Sequence, residues 1–182
     1  MEGSENTQPE DFGQIKEVVK SIYYYFPVSQ NGNHVAVAVY AGETRIIFNL
    51  KRHFDHQSMD DAMDGVQYLP GPSMTGNALR DVKTKIIDPN SRQNVPRVLI
   101  TIMSGKPNDD IESALNELKM ACVLMFALGL TSSYSPQSVN QASGEPHSEY
   151  VLISETFPEA NLVAQKMADK IKKGWVCWHS WN

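Results

Sequence analysis

The chain has 182 residues, of which 41% are hydrophobic and 20% are charged, and its formal net charge is -5. This size and composition are ordinary for one globular domain with a sizeable core. The acidic balance argues against a general nucleic-acid-binding protein, which usually presents a basic face. No apolar run reaches the ~20 residues that a membrane-spanning helix needs, and the opening residues 1–6 are too polar for a signal peptide.

Apolar periodicity predicts an alternating series of helices and strands. In chain order we expect a helix over Pro9–Tyr25, hairpin strands Val35–Tyr40 and Thr44–Leu50, a short helix capped by Ser58, a helix from about Ala78, a strand Val95–Met103, a helix Asp109–Met120, a strand Val123–Leu130, a helix Ser135–Ala142, a strand Tyr150–Ile153 and a closing helix Pro158–Lys172. The strands at 95–103 and 123–130 are near-continuous apolar runs, typical of strands buried on both faces. The pattern predicts a doubly wound α/β sheet, mostly parallel, with one antiparallel edge strand from the hairpin.

Four stretches carry a further pattern. Residues 2–6 read Glu-Gly-Ser-Glu-Asn and precede the first helix, and residues 71–79 read Gly-Pro-Ser-Met-Thr-Gly-Asn-Ala-Leu. Residues 98–105 form an apolar run that ends in Ser-Gly, and residues 118–130 hold a helix end followed by an apolar strand. In this order the stretches resemble the von Willebrand factor type A domain family, in particular the domains of collagen VI-like matrix chains. The resemblance implies that family's Rossmann-like fold.

The family places a divalent cation at the carboxyl ends of its strands, and an acidic side chain of a protein partner completes the coordination of that cation. The resemblance assigns Glu2, Ser4, Asn6, Ser73 and Ser104 to this site. Ser4 alone keeps the family's residue type. Ser104 stands where the family has an aspartate, and Glu2 is longer than the aspartate that it replaces. We therefore expect a degenerate adhesion site whose upper loops bind partners without a metal cofactor, with weak Mg²⁺ binding as the alternative.

The resemblance also bears on the two ends of the chain. The family has a central apolar strand before the position of Glu2, so we expect the sheet to lack its first strand and the sequence to be an N-terminally truncated fragment. The domain is expected to span residues 1–173, with a Trp-rich tail of unknown origin at 174–182. In this fold Cys122 and Cys177 would both lie on the lower face. A disulfide between them is one hypothesis, and the alternative is a buried thiol at Cys122 with an unrelated thiol in the tail.

The implied function is that of a non-enzymatic module of the extracellular matrix or of cell adhesion. Such a module would be secreted within a larger multi-domain chain, and it would bind matrix or cell-surface proteins rather than nucleic acid. A structural spacer domain and a metal-dependent adhesion domain are the alternatives. A hydrolytic or nucleotide-binding enzyme is disfavoured, because Ser104 lacks a Gly-x-Ser-x-Gly setting and no Gly-x-Gly-x-x-Gly occurs. His53 and His56 are interpreted as part of a solvated loop rather than as zinc ligands.

Overall fold

The computed structural model describes the backbone of residues 1–131 and 133–178, and the side chains of these residues except at 161 and 174–178. The elements in chain order are helix α1 Pro9–Tyr24, strands β1 Val37–Tyr40 and β2 Thr44–Phe48, helices α2 His56–Asp64 and α3 Thr75–Val82, a π-helical turn Lys83–Ile87, helix α4 Asp88–Asn90, strand β3 Arg97–Met103, helix α5 Glu112–Met120, strand β4 Val123–Leu130, helices α6 Pro136–Gln141 and α7 His147–Tyr150, strand β5 Val151–Ser154 and helix α8 Phe157–Trp178. The predicted α/β class and order of elements are confirmed, and α7 is an additional short helix.

The described strands form two separate sheets. Strands β3, β4 and β5 are parallel and lie in that order, and β1 pairs with β2 as the predicted antiparallel hairpin. Of the residues that the structure describes, only the short segment Met1–Gly3 lies between β1 and β3. The Glu2 N–H donates to the Ile102 carbonyl at 3.1 Å, and the Gly3 N–H donates to the Tyr40 carbonyl at 2.9 Å. This segment bridges the two sheets, and the expectation that the chain is a truncated fragment stays a prediction.

Helices cover both faces of the parallel sheet. Because side chains alternate along a strand, Phe126 and Leu128 of β4 face the layer formed by α1 and α8, whereas Met125 faces α3 and α5. In the first layer Ile15 and Met167 are fully buried. Each such side chain stabilises the fold by about 1.5–3 kcal/mol. This two-sided burial explains why β4 is apolar along its whole length. No helix in the described part of the chain has the length and apolarity to cross a membrane.

Helix α2 begins earlier than the sequence predicts. The residue that caps it is Asp55, whose Oδ1 accepts the Ser58 N–H at 2.8 Å. Ser58 as the cap was therefore wrong, because the Asp55 side chain, three residues earlier in the chain, accepts the Ser58 N–H itself. The solvated loop predicted at His56 is also wrong at that residue. His56 starts α2, and its ring stacks on Tyr24 with 4.5 Å between ring centroids.

The lower end of the fold contains a strained cysteine. Cys122 follows α5 with a φ of 54°, and its thiol is exposed. A residue that carries a Cβ atom is destabilised by roughly 1–2 kcal/mol in this left-handed conformation, whereas glycine adopts it without that cost. Helix α8 continues to Trp178, past the predicted domain end at residue 173. The Cys177 thiol and the tryptophan side chains of the tail lie outside the described residues, so the disulfide and the tail stay predictions.

Replacement of Cys122 by glycine is expected to raise the free energy of unfolding by about 1 kcal/mol, because the strain at φ 54° is relieved. Urea unfolding of the reduced protein measures the change. Cys122→Ala is the matched control, since it removes the thiol and keeps the Cβ, and it should give no such gain. If both variants instead lose stability only under oxidising conditions, the result would indicate that Cys122 has a covalent partner.

Candidate adhesion site

Three loops meet at the carboxyl ends of β1 and β3. They are residues 2–8 before α1, residues 70–74 before α3 and residues 104–111 after β3. The Glu5 N–H donates to the Gly71 carbonyl at 2.9 Å and joins the first loop to the second. The Asn108 N–H donates to the Ser73 carbonyl, also at 2.9 Å, and joins the third loop to the second. The loops therefore form one surface at the edge of the sheet where α/β proteins place their binding sites.

The Glu2 carboxylate is the group that joins the other site residues, and the Glu2 side chain is fully buried. Its Oε1 accepts the Ser4 hydroxyl at 2.6 Å and the Asn6 side-chain amide at 2.9 Å. Its Oε2 accepts the Ser104 N–H at 2.6 Å. Four of the five predicted site residues are thus joined directly, and both carboxylate oxygens are occupied by hydrogen-bond donors.

Ser73 lies in the adjoining loop and is also fully buried. Its hydroxyl lies 3.2 Å from that of Thr75, and its N–H donates to the Asn108 side chain at 2.7 Å. Beneath the loops, the Tyr40 hydroxyl donates to the Ile102 carbonyl at 3.3 Å. Burial holds the pKa of Tyr40 well above its ordinary value, and the nearby Glu2 carboxylate adds to that rise. The Tyr40 hydroxyl therefore stays protonated as a donor.

Asp109 is a site residue that the sequence reasoning missed. Its two carboxylate oxygens accept the N–H groups of Gly76 and Asn77, each at 2.8 Å. Helix α3 has no side-chain cap of its own at Met74, so Asp109 caps it from the neighbouring loop. Helix α5 begins at Glu112, whose N–H donates to the Asp110 side chain at 3.1 Å, rather than at Asp109. The available signal was an acidic residue in the loop that follows an apolar strand.

The residues present do not fit a tightly held Mg²⁺ ion. Magnesium requires near-ideal octahedral coordination by oxygen. The site instead directs the donors of Ser4, Asn6 and Ser104 at its central carboxylate. The Ser104 hydroxyl is buried and has no hydrogen-bond partner among the described residues. In the same part of the chain, no group of three His, Cys, Asp or Glu side chains could hold a metal ion.

The amino group of Met1 lies next to the site and is buried with a single described acceptor, the Ala38 carbonyl, at 2.8 Å. Burial lowers the pKa of this amino group to about 5, and the Glu2 carboxylate offsets only part of that effect. Between about pH 5 and pH 8 the unfolded chain therefore binds a proton that the folded chain does not bind. The folded chain is consequently favoured as the pH rises through this range.

In a chain produced with Met1 as its first residue, the free energy of unfolding is expected to increase from about pH 5 to pH 8, by at most ~4 kcal/mol, because of the Met1 amino group. This contribution is fully present above pH 8 and is lost as the pH falls. Urea unfolding across the range measures the change. Acetylation of the amino terminus removes the ionisable group, so the acetylated chain should lose that part of the pH dependence. Identical pH profiles for the two forms would contradict the assignment.

Comparison with known proteins agrees with the fold. The family model described as "von Willebrand factor type A domain" matches residues 1–166, and the chain belongs to that family. Chicken (Gallus gallus) matrilin-3 is 26% identical over 178 residues, which is 95% of this chain and 38% of matrilin-3. The mouse (Mus musculus) collagen alpha-6(VI) chain is 28% identical over 94% of this chain and 8% of the collagen chain. The chain therefore spans well under half of these relatives.

Solved structures show the same fold at lower sequence identity. Proximal thread matrix protein 1 from the mussel byssus, solved with a zinc-occupied MIDAS motif, superposes with a TM-score of 0.82 at 21% identity. That match covers 94% of this chain and 43% of the mussel protein. The manganese-loaded TRAP protein of Plasmodium vivax superposes with a TM-score of 0.75 at 14% identity, over 92% of this chain and 70% of TRAP. Metal is thus bound by both of these neighbours.

Proposed function

We propose that this domain is a protein-binding module of the extracellular matrix or cell surface, within a secreted multi-domain chain, and that it binds its partners without a metal ion. Its family and its matrilin and collagen relatives support the matrix setting. The observation that carries metal independence is the Glu2 carboxylate, whose two oxygens already accept three donors. A cation that coordinates this carboxylate would have to displace at least one of these hydrogen bonds.

Partner contact on this surface would fall on its rim. Glu2, Ser4 and Ser73 have no exposed surface and Ser104 has 1%, so these side chains support the loops from within. Lys106 is exposed on the third loop, and its carbonyl lies 3.4 Å from the Asn6 side-chain amide. The third loop therefore carries an exposed lysine on the rim of the site. An acidic side chain of a partner could pair with this charge instead of with a metal ion.

Solid-phase binding to an extracellular matrix preparation tests the proposal. Binding is expected to be the same in millimolar Mg²⁺ and in excess chelator. Lys106→Glu should weaken binding several-fold, because it reverses the charge on the rim. Lys119→Glu makes the same charge change at an exposed position of α5 and should leave binding unchanged. Loss of binding in chelator would overturn metal independence, and equal binding by all three proteins would remove the rim from the interface.

The Ser104→Asp variant is expected to acquire Mg²⁺-dependent stability that the parent chain lacks. A second carboxylate next to buried Glu2 should destabilise the metal-free fold by like-charge repulsion, and a cation would relieve that repulsion. A ligand present at 100 times its dissociation constant adds about 2.7 kcal/mol, which thermal unfolding detects easily. Ser104→Asn is the uncharged control and should not respond to Mg²⁺. A parent chain that is itself stabilised by Mg²⁺ would contradict the proposal.

A structural spacer role is the second candidate, and the burial of the central residues is the observation that favours it. Glu2 and Ser73 have no exposed surface, so they hold the loops together and do not themselves contact a partner. A set of rim variants, Glu5→Lys, Asn77→Asp and Lys106→Glu, separates the two roles. If matrix binding and assembly both survive these changes, the spacer role is favoured. If binding alone is lost, the loops are a binding surface.

A further inference from the structure

A groove of about 440 Å³ lies between strand β5 and helix α8, and its volume falls within the range of ligand-binding clefts. Leu152 of β5 and Val163 of α8 are buried and line the groove with apolar surface. Three lysine side chains of α8 line it as well, namely Lys166, Lys170 and Lys173. Their spacing of four and three residues places them on one face of the helix. The groove therefore combines an apolar base with a row of cations.

Strand β5 is the edge of the parallel sheet, because β4 is its only partner strand among the residues that the structure describes. The Thr131 N–H, which follows β4, donates to the Ser154 carbonyl at 2.9 Å. Alternate residues of a strand direct their backbone groups to the same side, so Ser154 and Leu152 pair with β4. The Ile153 N–H and carbonyl and the Val151 carbonyl consequently point away from β4. An edge of this kind is a template for one more strand.

The lysines beside this edge differ in how their charges are compensated. The Lys170 ammonium forms an ion pair with the Glu149 carboxylate at 2.7 Å. Lys166 and Lys173 are exposed, and neither forms an ion pair with any side chain that the structure describes, including Asp169 in the same groove. A chain whose formal net charge is -5 thus keeps two uncompensated cations next to a free strand edge.

These charges decide which kind of molecule the edge accepts. A second copy of the same edge would bring the same cations opposite Lys166 and Lys173, and like charges placed face to face disfavour that pairing. A sulfated glycan would be attracted by the cations, but it has no row of N–H and carbonyl groups to match the edge of β5. An extended acidic peptide satisfies both features, because its backbone pairs with the edge and its carboxylates pair with the lysines.

We propose that the edge of β5 binds an extended acidic segment of a partner protein, which adds one strand to the sheet and directs its carboxylates at Lys166 and Lys173. The two lysines are seven residues apart in the sequence, or about 10 Å along the helix axis. Side chains on one face of a strand repeat every ~7 Å, so two or three successive carboxylates on that face span the lysines. None of these residues belongs to the three adhesion loops, so this is a second binding surface.

The role of the lysines is tested with the peptide Thr-Glu-Val-Glu-Val-Glu-Thr, labelled and titrated with the full chain in a fluorescence anisotropy assay at low salt. The double variant Lys166→Glu, Lys173→Glu is expected to weaken binding by about tenfold or more, because attraction becomes repulsion. Lys172→Glu makes the same charge change on the same helix at an exposed residue that does not line the groove, and it should leave binding unchanged.

The addition of a strand is tested by blocking the N–H groups of the peptide. One peptide is N-methylated at both valines, and a second is N-methylated at the first two glutamates. Alternate residues of the bound strand direct their N–H groups at β5, so one peptide should lose about tenfold or more in affinity while the other keeps its affinity. Amide exchange at Ile153 should slow by about tenfold or more at saturating unmodified peptide, because its N–H gains an acceptor.

Three results would overturn this assignment. Equal binding of the peptide by the parent chain and the double variant would show that the lysines do not recognise it. Equal affinity of the two N-methylated peptides would show that no strand is added. A heparin oligosaccharide that binds through the two lysines, when the peptide does not bind, would assign them to a sulfated glycan. Because the probe is a defined peptide and the adhesion loops are not involved, failure here leaves the proposed function untouched.

Discussion

Replacement of Glu2 by glutamine is expected to lower the free energy of unfolding by about 2–3 kcal/mol. The amide keeps the shape of the side chain but offers one acceptor atom where the carboxylate offers two. If the amide oxygen accepts from Ser4 and Asn6, the new NH₂ group faces the Ser104 N–H, and the reverse orientation is no better. A buried donor is then left without an acceptor in either orientation.

Urea unfolding of the parent chain and the variant measures this effect. Glu5→Gln makes the same chemical change at the neighbouring exposed glutamate and should stay within about 0.5 kcal/mol of the parent chain. Unchanged or increased stability of Glu2→Gln would mean that desolvation of the Glu2 charge outweighs its three hydrogen bonds. The loops would then be held together by their backbone contacts rather than by this carboxylate.

Replacement of Gly76 by alanine is expected to destabilise the domain by about 3 kcal/mol. A Cβ at this position would lie 2.0 Å from the Asp110 carbonyl oxygen and 3.0 Å from an Asp109 carboxylate oxygen. Because the nearest obstacle is backbone, the loop after β3 must move away from α3. That movement also breaks the bond from the Gly76 N–H to Asp109, so the helix loses its cap.

The matched control for this substitution is Gly13→Ala. Gly13 lies in the interior of α1, and a Cβ there would meet nothing within 4 Å. The change should raise stability by about 0.5–1 kcal/mol, because alanine is the better helix former. Thermal or urea unfolding of both variants gives the comparison. Similar changes in the two would mean that the loop after β3 adjusts freely and that its packing on α3 matters little.

The fold could be predicted from the sequence to a large extent, because buried parallel strands have an unusually clear signature. Strand β4 was predicted at its observed bounds, since both of its faces are covered and all of its residues are apolar. Helix ends were less accurate. Asp109 was predicted as the first residue of α5, but its carboxylate accepts the backbone N–H groups at the start of α3. No local pattern distinguishes such an acid from an ordinary first-turn residue.

The site residues, too, could be predicted from the sequence only in part. The resemblance to a known family placed Glu2, Ser4, Asn6 and Ser104 in one site, and the structure joins them by hydrogen bonds. Tyr40 was missed because a tyrosine at the end of a strand has no distinctive spacing. The role of the Ser104 N–H was also beyond the sequence, because any residue at that position carries the same backbone group.

By itself the sequence determined the α/β class, the hairpin, the buried strands and the chemical types of the residues in the loops. These follow from local periodicity and composition, which depend on neighbours along the chain. The tertiary structure alone decided that Glu2 is buried with its hydrogen bonds satisfied, and that β1 and β3 border a cavity beside Met1. Both features arise where segments distant in sequence meet, so burial and backbone pairing there cannot be derived from local periodicity or composition.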